Sequence, residues 1–151
     1  MVSFNLQKRI SLLNYTTIKV GGNSEFFCEP NDVGEMIDCI RWAKINNHKC
    51  RLLGAGSNLL IKNTFLYGLT ICTKKIKNII INSSTGEVYA ECGAMLPNMA
   101  KQLAKSGIEG SEYAIGIPGT IGGAIFMNAG TGLSTISKNL ISVQVIDKHS
   151  L

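Results

Sequence analysis

Apolar positions along this chain alternate between a spacing of two and a spacing of three to four, which divides it into short strands and helices. Ser24-Glu25-Phe26-Phe27-Cys28-Glu29-Pro30 predicts a strand stopped by proline. Asn31-Asp32 then opens a helix, with Asp32 and Glu35 at capping-box spacing. Val33, Met36, Ile37, Ile40, Ala43 and Lys44 recur at helical intervals, so one stripe faces a core, and Asn46-Asn47-His48 ends the helix. Cys50 to Leu53 predicts a second strand that runs straight into Gly54-Ala55-Gly56-Ser57-Asn58. Strand, helix, strand and glycine loop together form a βαβ-like unit with its loop at a strand's C-terminal end. Leu59-Leu60-Ile61 and Leu69 to Thr73 read as further strands, joined by a turn across Asn63 to Gly68.

Beyond Thr73 the pattern changes. Ile76 to Asn82 and Glu87 to Cys92 predict two strands around the turn Asn82-Ser83-Ser84-Thr85-Gly86. Pro97 suits the first turn of a helix running to Lys105, with Met95, Met99, Leu103 and Ala104 as its buried face and Gly107 as its stop. Ile141 to Asp147 alternates like a last strand before Lys148-His149. The expected fold class is therefore mixed, α+β or α/β, with one lobe over residues 1–73 and another over 74–151. No internal repeat, low-complexity tract or flexible linker interrupts the pattern.

Composition sharpens this picture in three respects. An apolar content of 45% against 17% charged residues supports a buried core and argues against disorder. No apolar run reaches the roughly 18 residues of a membrane span, and Met1 to Arg9 lacks the build of a signal peptide, so the expected compartment is the cytoplasm. The five cysteines, Cys28, Cys39, Cys50, Cys72 and Cys92, are widely spaced and odd in number. They suggest reduced core residues rather than a zinc site or disulfide framework, and with His48 and His149 isolated, no metal is expected. The net charge of +5 comes mostly from scattered lysines. Lys74-Lys75-Ile76-Lys77 has no interleaved aromatic residues to make it a nucleic-acid platform.

The candidate chemistry lies in glycine. Ile115 to Ala124 places Gly116, Gly119, Gly122, Gly123 and Pro118 among aliphatic residues, then continues into Met127-Asn128-Ala129-Gly130. A loop that is both glycine-rich and apolar suits buried backbone that a ligand must approach closely. The earlier loop Gly54 to Leu59 has the same character, with Ser57 and Asn58 adding a hydroxyl and an amide. Converging backbone N–H groups bind phosphate without a cationic side chain. Gly54-x-Gly56-Ser57-Asn58 matches neither the Walker loop nor the Gly-x-Gly-x-x-Gly fingerprint. In the second loop Gly116-Ile117-Pro118-Gly119 forms a rigid turn, after which Thr120 to Gly123 opens a short helix. Two such loops in one chain indicate a large phosphate-bearing ligand.

Three segments, taken in order, resemble the UDP-N-acetylenolpyruvoylglucosamine reductase (MurB) family. They are Tyr15-Thr16-Thr17-Ile18-Lys19-Val20-Gly21-Gly22, then Leu53 to Ile61, then Gly116 to Ala124 with Met127-Asn128-Ala129-Gly130. The resemblance covers the chain from about Asn14 onward and implies a two-lobed FAD-binding domain of the vanillyl-alcohol oxidase (PCMH) type. It implies FAD as cofactor, with NADPH as co-substrate, and reduction of UDP-N-acetylglucosamine enolpyruvate to UDP-N-acetylmuramate for peptidoglycan. It places the FAD pyrophosphate on Gly54, Ala55, Gly56, Ser57, Asn58 and Leu59. Further flavin and diphosphate contacts fall on Ile117, Pro118, Gly119, Thr120, Gly122 and Gly123, while Thr17 to Gly22 helps to shape the site.

The chain departs from that family in one large respect. The family carries a catalytic arginine in a Gly-Tyr-Arg motif, and a serine proton donor and a glutamate in a separate substrate-binding domain. Here the arginines are Arg9, Arg41 and Arg51, none in such a motif, and Gly130-Thr131-Gly132 stands where the family has Gly-Ala-Tyr-Gly. The expectation is an FAD-binding half without the C-terminal substrate domain and inactive alone: a fragment of a longer protein, one half of a split gene completed by a separate C-terminal half, or a decaying remnant. No catalytic residue is assigned to this chain. An inactive FAD- or nucleotide-binding remnant is the alternative, as is another FAD-dependent oxidoreductase. The oxidases of the wider family often attach flavin through a His or Cys, and none adjoins Gly54 to Asn58.

Overall fold

The computed structural model describes residues 4–132, 134–147 and 151. Its principal sheet has four strands: β1 (Gln7–Ser11), β2 (Asn23–Cys28), β3 (Cys50–Leu53) and β4 (Leu66–Cys72). Their order is β1-β2-β4-β3, with β1 antiparallel to β2, and both β2 and β3 parallel to β4. Helix α1 (Val33–Ile45) carries the chain from β2 across to β3, leaving a slot that β4 fills. A central parallel strand is covered on both faces, and β4 is buried from Gly68 onward. On the α1 face Leu69 and Ile71 pack with Cys28, Cys39 and Ala43. On the other face Cys72 packs with Leu12, Phe27 and Leu53.

Local chemistry explains why α1 starts and stops where it does. The Asp32 carboxylate accepts from the Glu35 N–H at 2.8 Å, while the Glu35 carboxylate reaches back to the Asn31 N–H. This is a capping box displaced by one residue at its return bond. At the other end Asn47 takes φ +55°, and His48 N–H donates to Ala43 C=O at 2.8 Å, closing a Schellman turn. Met36, Cys39 and Ala43 form the buried stripe, so Cys39 belongs to the core face, whereas Val33 at the first turn is exposed.

The later elements are smaller. Strands β5 (Ile79–Ile81) and β6 (Val88–Ala90) pair antiparallel, followed by α2 (Leu96–Lys105) and α3 (Ile121–Phe126). A short hairpin joins β7 (Gly130–Thr131) to β8 (Ser134–Thr135). Leu96, Ala100, Ala114, Ile121, Ala124 and Ile136 make the core here. The buried face of α2 is Leu96, Ala100 and Leu103, so Ala104 lies on the exposed side and Met95 becomes the N-cap. Gly107, at φ +71°, ends the helix as its sequence position suggested.

Among the described residues two expected strands do not form, and three are additional. Leu59 to Ile61 joins no ladder among the described residues, and the following Lys62 C=O accepts from Gly22 N–H at 3.0 Å. Ile141 to Asp147 is also outside any ladder among the described residues, leaving Ile141 and Val145 exposed at 81% and 76%. The continuation at Lys148-His149 lies outside the described residues. Strand β1 was missed because Gln7-Lys8-Arg9 is polar, and β7 and β8 are too short to show a period.

The buried thiols give the fold a pH limit. Burial foremost pushes Cys72 up to about 11 from its ordinary 9.0, and burial likewise raises the half-buried Cys92. The unfolded chain therefore releases these protons first as pH rises. Stability is complete below about pH 9 and declines as pH passes from 9 towards 11. Urea midpoints should fall over that interval, with a shallower fall in Cys72→Ala; identical slopes in the two proteins would contradict this assignment.

Candidate functional site

Strand β3 ends at Leu53 and delivers Gly54 to Leu59 at the sheet's C-terminal edge. Gly56 adopts φ +69°, and a Cβ there would collide with Tyr15 C=O and lie 2.9 Å from Thr16 Cα. Only glycine lets this bend sit against the Tyr15–Thr17 segment, where Thr17 N–H donates to Gly56 C=O at 3.2 Å. The Thr16 hydroxyl closes its own turn by donating to Val20 C=O at 2.7 Å. Gly22 is a scaffold residue: its N–H binds Lys62 C=O, its C=O accepts from Leu12 N–H at 3.0 Å, and a Cβ would strike Thr64.

The second loop arrives from a different part of the chain. Residues Cys92 to Leu96 run antiparallel beside it, with Leu96 N–H on Gly119 C=O at 2.9 Å, Ile121 N–H on Ala94 C=O at 2.8 Å and Gly122 N–H on Cys92 C=O at 2.8 Å. Gly119 takes φ +143°. Thr120 is fully buried and caps α3, its hydroxyl accepting from Gly123 N–H at 3.3 Å.

These two loops meet. The Ser57 hydroxyl donates to Pro118 C=O at 2.9 Å, and a Cβ on Gly119 would sit 3.1 Å from Ser57 Oγ. A Cβ on Gly54 would strike Thr120 Oγ1, so the loops touch at both ends of the first bend. Ala55 and Ile117 are half-buried beside the contact, whereas Asn58, Leu59, Pro118 and Gly123 are exposed at its rim. Among the described residues, the backbone N–H groups of Ala55 to Asn58 and of Gly119 and Thr120 have no protein acceptor. Backbone amides that meet no partner inside a fold call for solvent or a ligand. A cluster of them beside glycine suits the oxygens of a phosphate.

All twelve residues singled out in the two loops thus fall in one region, joined there by the Tyr15–Thr17 segment. Sequence reasoning missed the strand-like run Cys92 to Leu96, which bonds the second loop from behind. Its available signal is Gly93, where a Cβ would strike Thr73 C=O. Gly93, Ala94 and Met95 also line a cavity of about 320 Å³ with Lys74, Lys77 and Asn98, which puts two of the clustered lysines beside this run. A separate, open concavity of about 660 Å³ is lined by Lys8, Arg9, Glu25, Phe65 and Tyr67 and involves neither loop. No group of three or more His, Cys, Asp or Glu residues able to hold a metal occurs among the described residues. No described helix is long and apolar enough to cross a membrane.

Comparison with known proteins points the same way. The family model described as "FAD binding domain" matches residues 24–150. A UDP-N-acetylenolpyruvoylglucosamine reductase of Prochlorococcus marinus (strain CCMP1986 / NIES-2087 / MED4) is 54% identical over 151 residues, covering 100% of this chain and 51% of the relative. A protein of the same name from Synechococcus sp. (strain CC9311) is 41% identical over 143 residues, covering 95% and 46%. The chain thus spans about half the length of the curated relatives it matches. Among solved structures, the UDP-N-acetylenolpyruvylglucosamine reductase (MurB) of Thermus caldophilus aligns with TM-score 0.63 and 29% identity, over 87% of this chain and 45% of that one. The 6-hydroxy-D-nicotine oxidase of Arthrobacter nicotinovorans, at 13% identity and TM-score 0.58 over 71% of this chain and 25% of that one, shares the fold alone. With the matched model spanning residues 24–150, this chain belongs to the FAD binding domain family, and its mixed α+β fold is the one shared by the MurB reductase and the 6-hydroxy-D-nicotine oxidase.

Proposed function

We propose that this chain is the FAD-binding half of a UDP-N-acetylenolpyruvoylglucosamine reductase acting in peptidoglycan synthesis in the cytoplasm. The observation that carries the reading is the meeting of the glycine loops, with the Ser57 hydroxyl on Pro118 C=O at 2.9 Å beside backbone amides that have no protein acceptor among the described residues. Chain similarity over the full 151 residues to a reductase of that name supports the same reading.

The two lobes divide near residue 73, and the cofactor lies where their loops converge. Ala55 to Asn58 would hold the pyrophosphate through main-chain N–H groups, so that fixed dipoles rather than a lysine would meet the diphosphate charge. Pro118 stiffens the second loop, and Gly119, Thr120, Gly122 and Gly123 contribute further contacts, with Gly54, Leu59 and Ile117 forming the walls. When bound, FAD supplies the means of passing hydride from NADPH to the vinyl carbon of the enolpyruvyl group. This chain's own residues orient the cofactor and shield it from water. The proton donor, the catalytic arginine and the substrate pocket belong to the remaining half of the reductase, so the isolated chain binds FAD without turnover.

Reconstitution tests this directly. Folded chain mixed with FAD and passed through a desalting column should retain flavin absorbance while showing no NADPH-dependent reduction of the enolpyruvyl substrate. Folded protein that emerges without flavin rejects the cofactor assignment, and turnover by the chain alone rejects the division of labour.

A further inference from the structure

We propose that Cys28 and Cys39 form a redox modification site, in which hydrogen peroxide converts the thiol pair into a disulfide tying β2 to α1. Cys28 is the last residue of β2, and Cys39 lies in the middle of α1, on the helix face turned to the sheet. The two sulfurs are 3.2 Å apart, with the Cys28 thiol donating to Cys39 Sγ. A covalent S–S bond is about 2.05 Å, so bonding needs an approach of about 1 Å and no rearrangement of chain topology. The residues are eleven positions apart. A bond between them closes one small loop through the buried Pro30.

The chemistry balances within the pair and one peroxide. One sulfur attacks a peroxide oxygen, the O–O bond breaks, and hydroxide leaves as water with that thiol's proton. The sulfur is then a sulfenic acid. The second sulfur displaces its oxygen, forming S–S and breaking S–O, and the oxygen leaves as water with the second thiol's proton. Each sulfur gives up one electron, and the peroxide accepts two.

Burial sets the rate. Cys28 is 1% exposed and Cys39 0%, and the hydrogen bond to Cys39, then burial, pushes the Cys28 thiol up. Peroxide therefore reaches the pair when α1 lifts from the sheet, and the product is closed off from reductants when the helix returns. The three other cysteines serve as internal controls: Cys50 is exposed on edge strand β3, Cys72 is buried and Cys92 half-buried.

Trypsin cleavage isolates the pair, because Val20 to Arg41 contains Cys28 and Cys39 with no lysine or arginine between them and no other cysteine. The full chain is treated with hydrogen peroxide, with and without sub-denaturing urea, alkylated in denaturant and digested without reduction. The expected product is the Val20–Arg41 peptide two hydrogens lighter and refractory to alkylation, forming several-fold faster in urea, and forming equally in Cys50→Ser. Recovery of that peptide with both cysteines alkylated after the urea treatment overturns the proposal. So does a disulfide joining Cys28 or Cys39 to Cys50, Cys72 or Cys92.

Discussion

Gly56→Val should destabilise the chain by about 3 kcal/mol or more and abolish FAD retention. The left-handed conformation alone costs a side-chain-bearing residue about 1–2 kcal/mol, and a β-branched side chain adds to that. Gly56 sits at φ +69°, and its added Cβ also meets Tyr15 C=O and Thr16 Cα, backbone atoms that cannot swing aside. Relieving the overlap drives the first loop away from Thr17 N–H and breaks its bond to Gly56 C=O. Urea unfolding followed by tryptophan fluorescence provides the stability reading, and flavin absorbance after desalting provides the other. A midpoint equal to wild type would show that Gly56 is not wedged against Tyr15.

Gly119→Val attacks the other loop and should separate binding from stability more cleanly. At φ +143° the backbone occupies a region essentially restricted to glycine, at a cost of about 1–3 kcal/mol for other residues. The new Cβ lies 3.1 Å from Ser57 Oγ, the atom that joins the loops. The expected outcome is a loss of FAD affinity of at least tenfold, equivalent to about 1.4 kcal/mol, from misplacement of Pro118 and Ser57. Steric entry of the valine into cofactor space is thus not the first cause: the protein's own hydroxyl stands in the way. Quenching of flavin fluorescence measures the affinity, and an unchanged value would remove Gly119 from the site.

Much of this was legible in the sequence because the strongest signals are local. Asp32 and Glu35 mark the start of α1, Gly107 the end of α2, and the turn Asn82 to Gly86 the β5–β6 hairpin, each through chemistry confined to a few residues. Leu59-Leu60-Ile61 looked like a strand because periodicity records side chains and not ladder partners. Ile141 to Asp147 alternates well yet joins no ladder among the described residues. Strand β1 was hidden by its polar residues, since an antiparallel edge needs only backbone bonds to β2. The glycine loops were recognisable individually from composition. That both would face one diphosphate was expected, but the bond joining them was not, because nothing within Gly54 to Leu59 specifies that Pro118 will lie beside Ser57.

That long-range contact has a consequence for synthesis. Ser57 and Pro118 are 61 positions apart, so their bond closes a large loop, of the kind that slows folding relative to local pairing. During translation the first bend leaves the ribosome well before its counterpart exists. The strands behind it can pair early, but the cradle stays half-made until α3 and its preceding turn have emerged. Nascent chains halted before Gly119 should therefore be unable to take up flavin, however well their first sheet has formed.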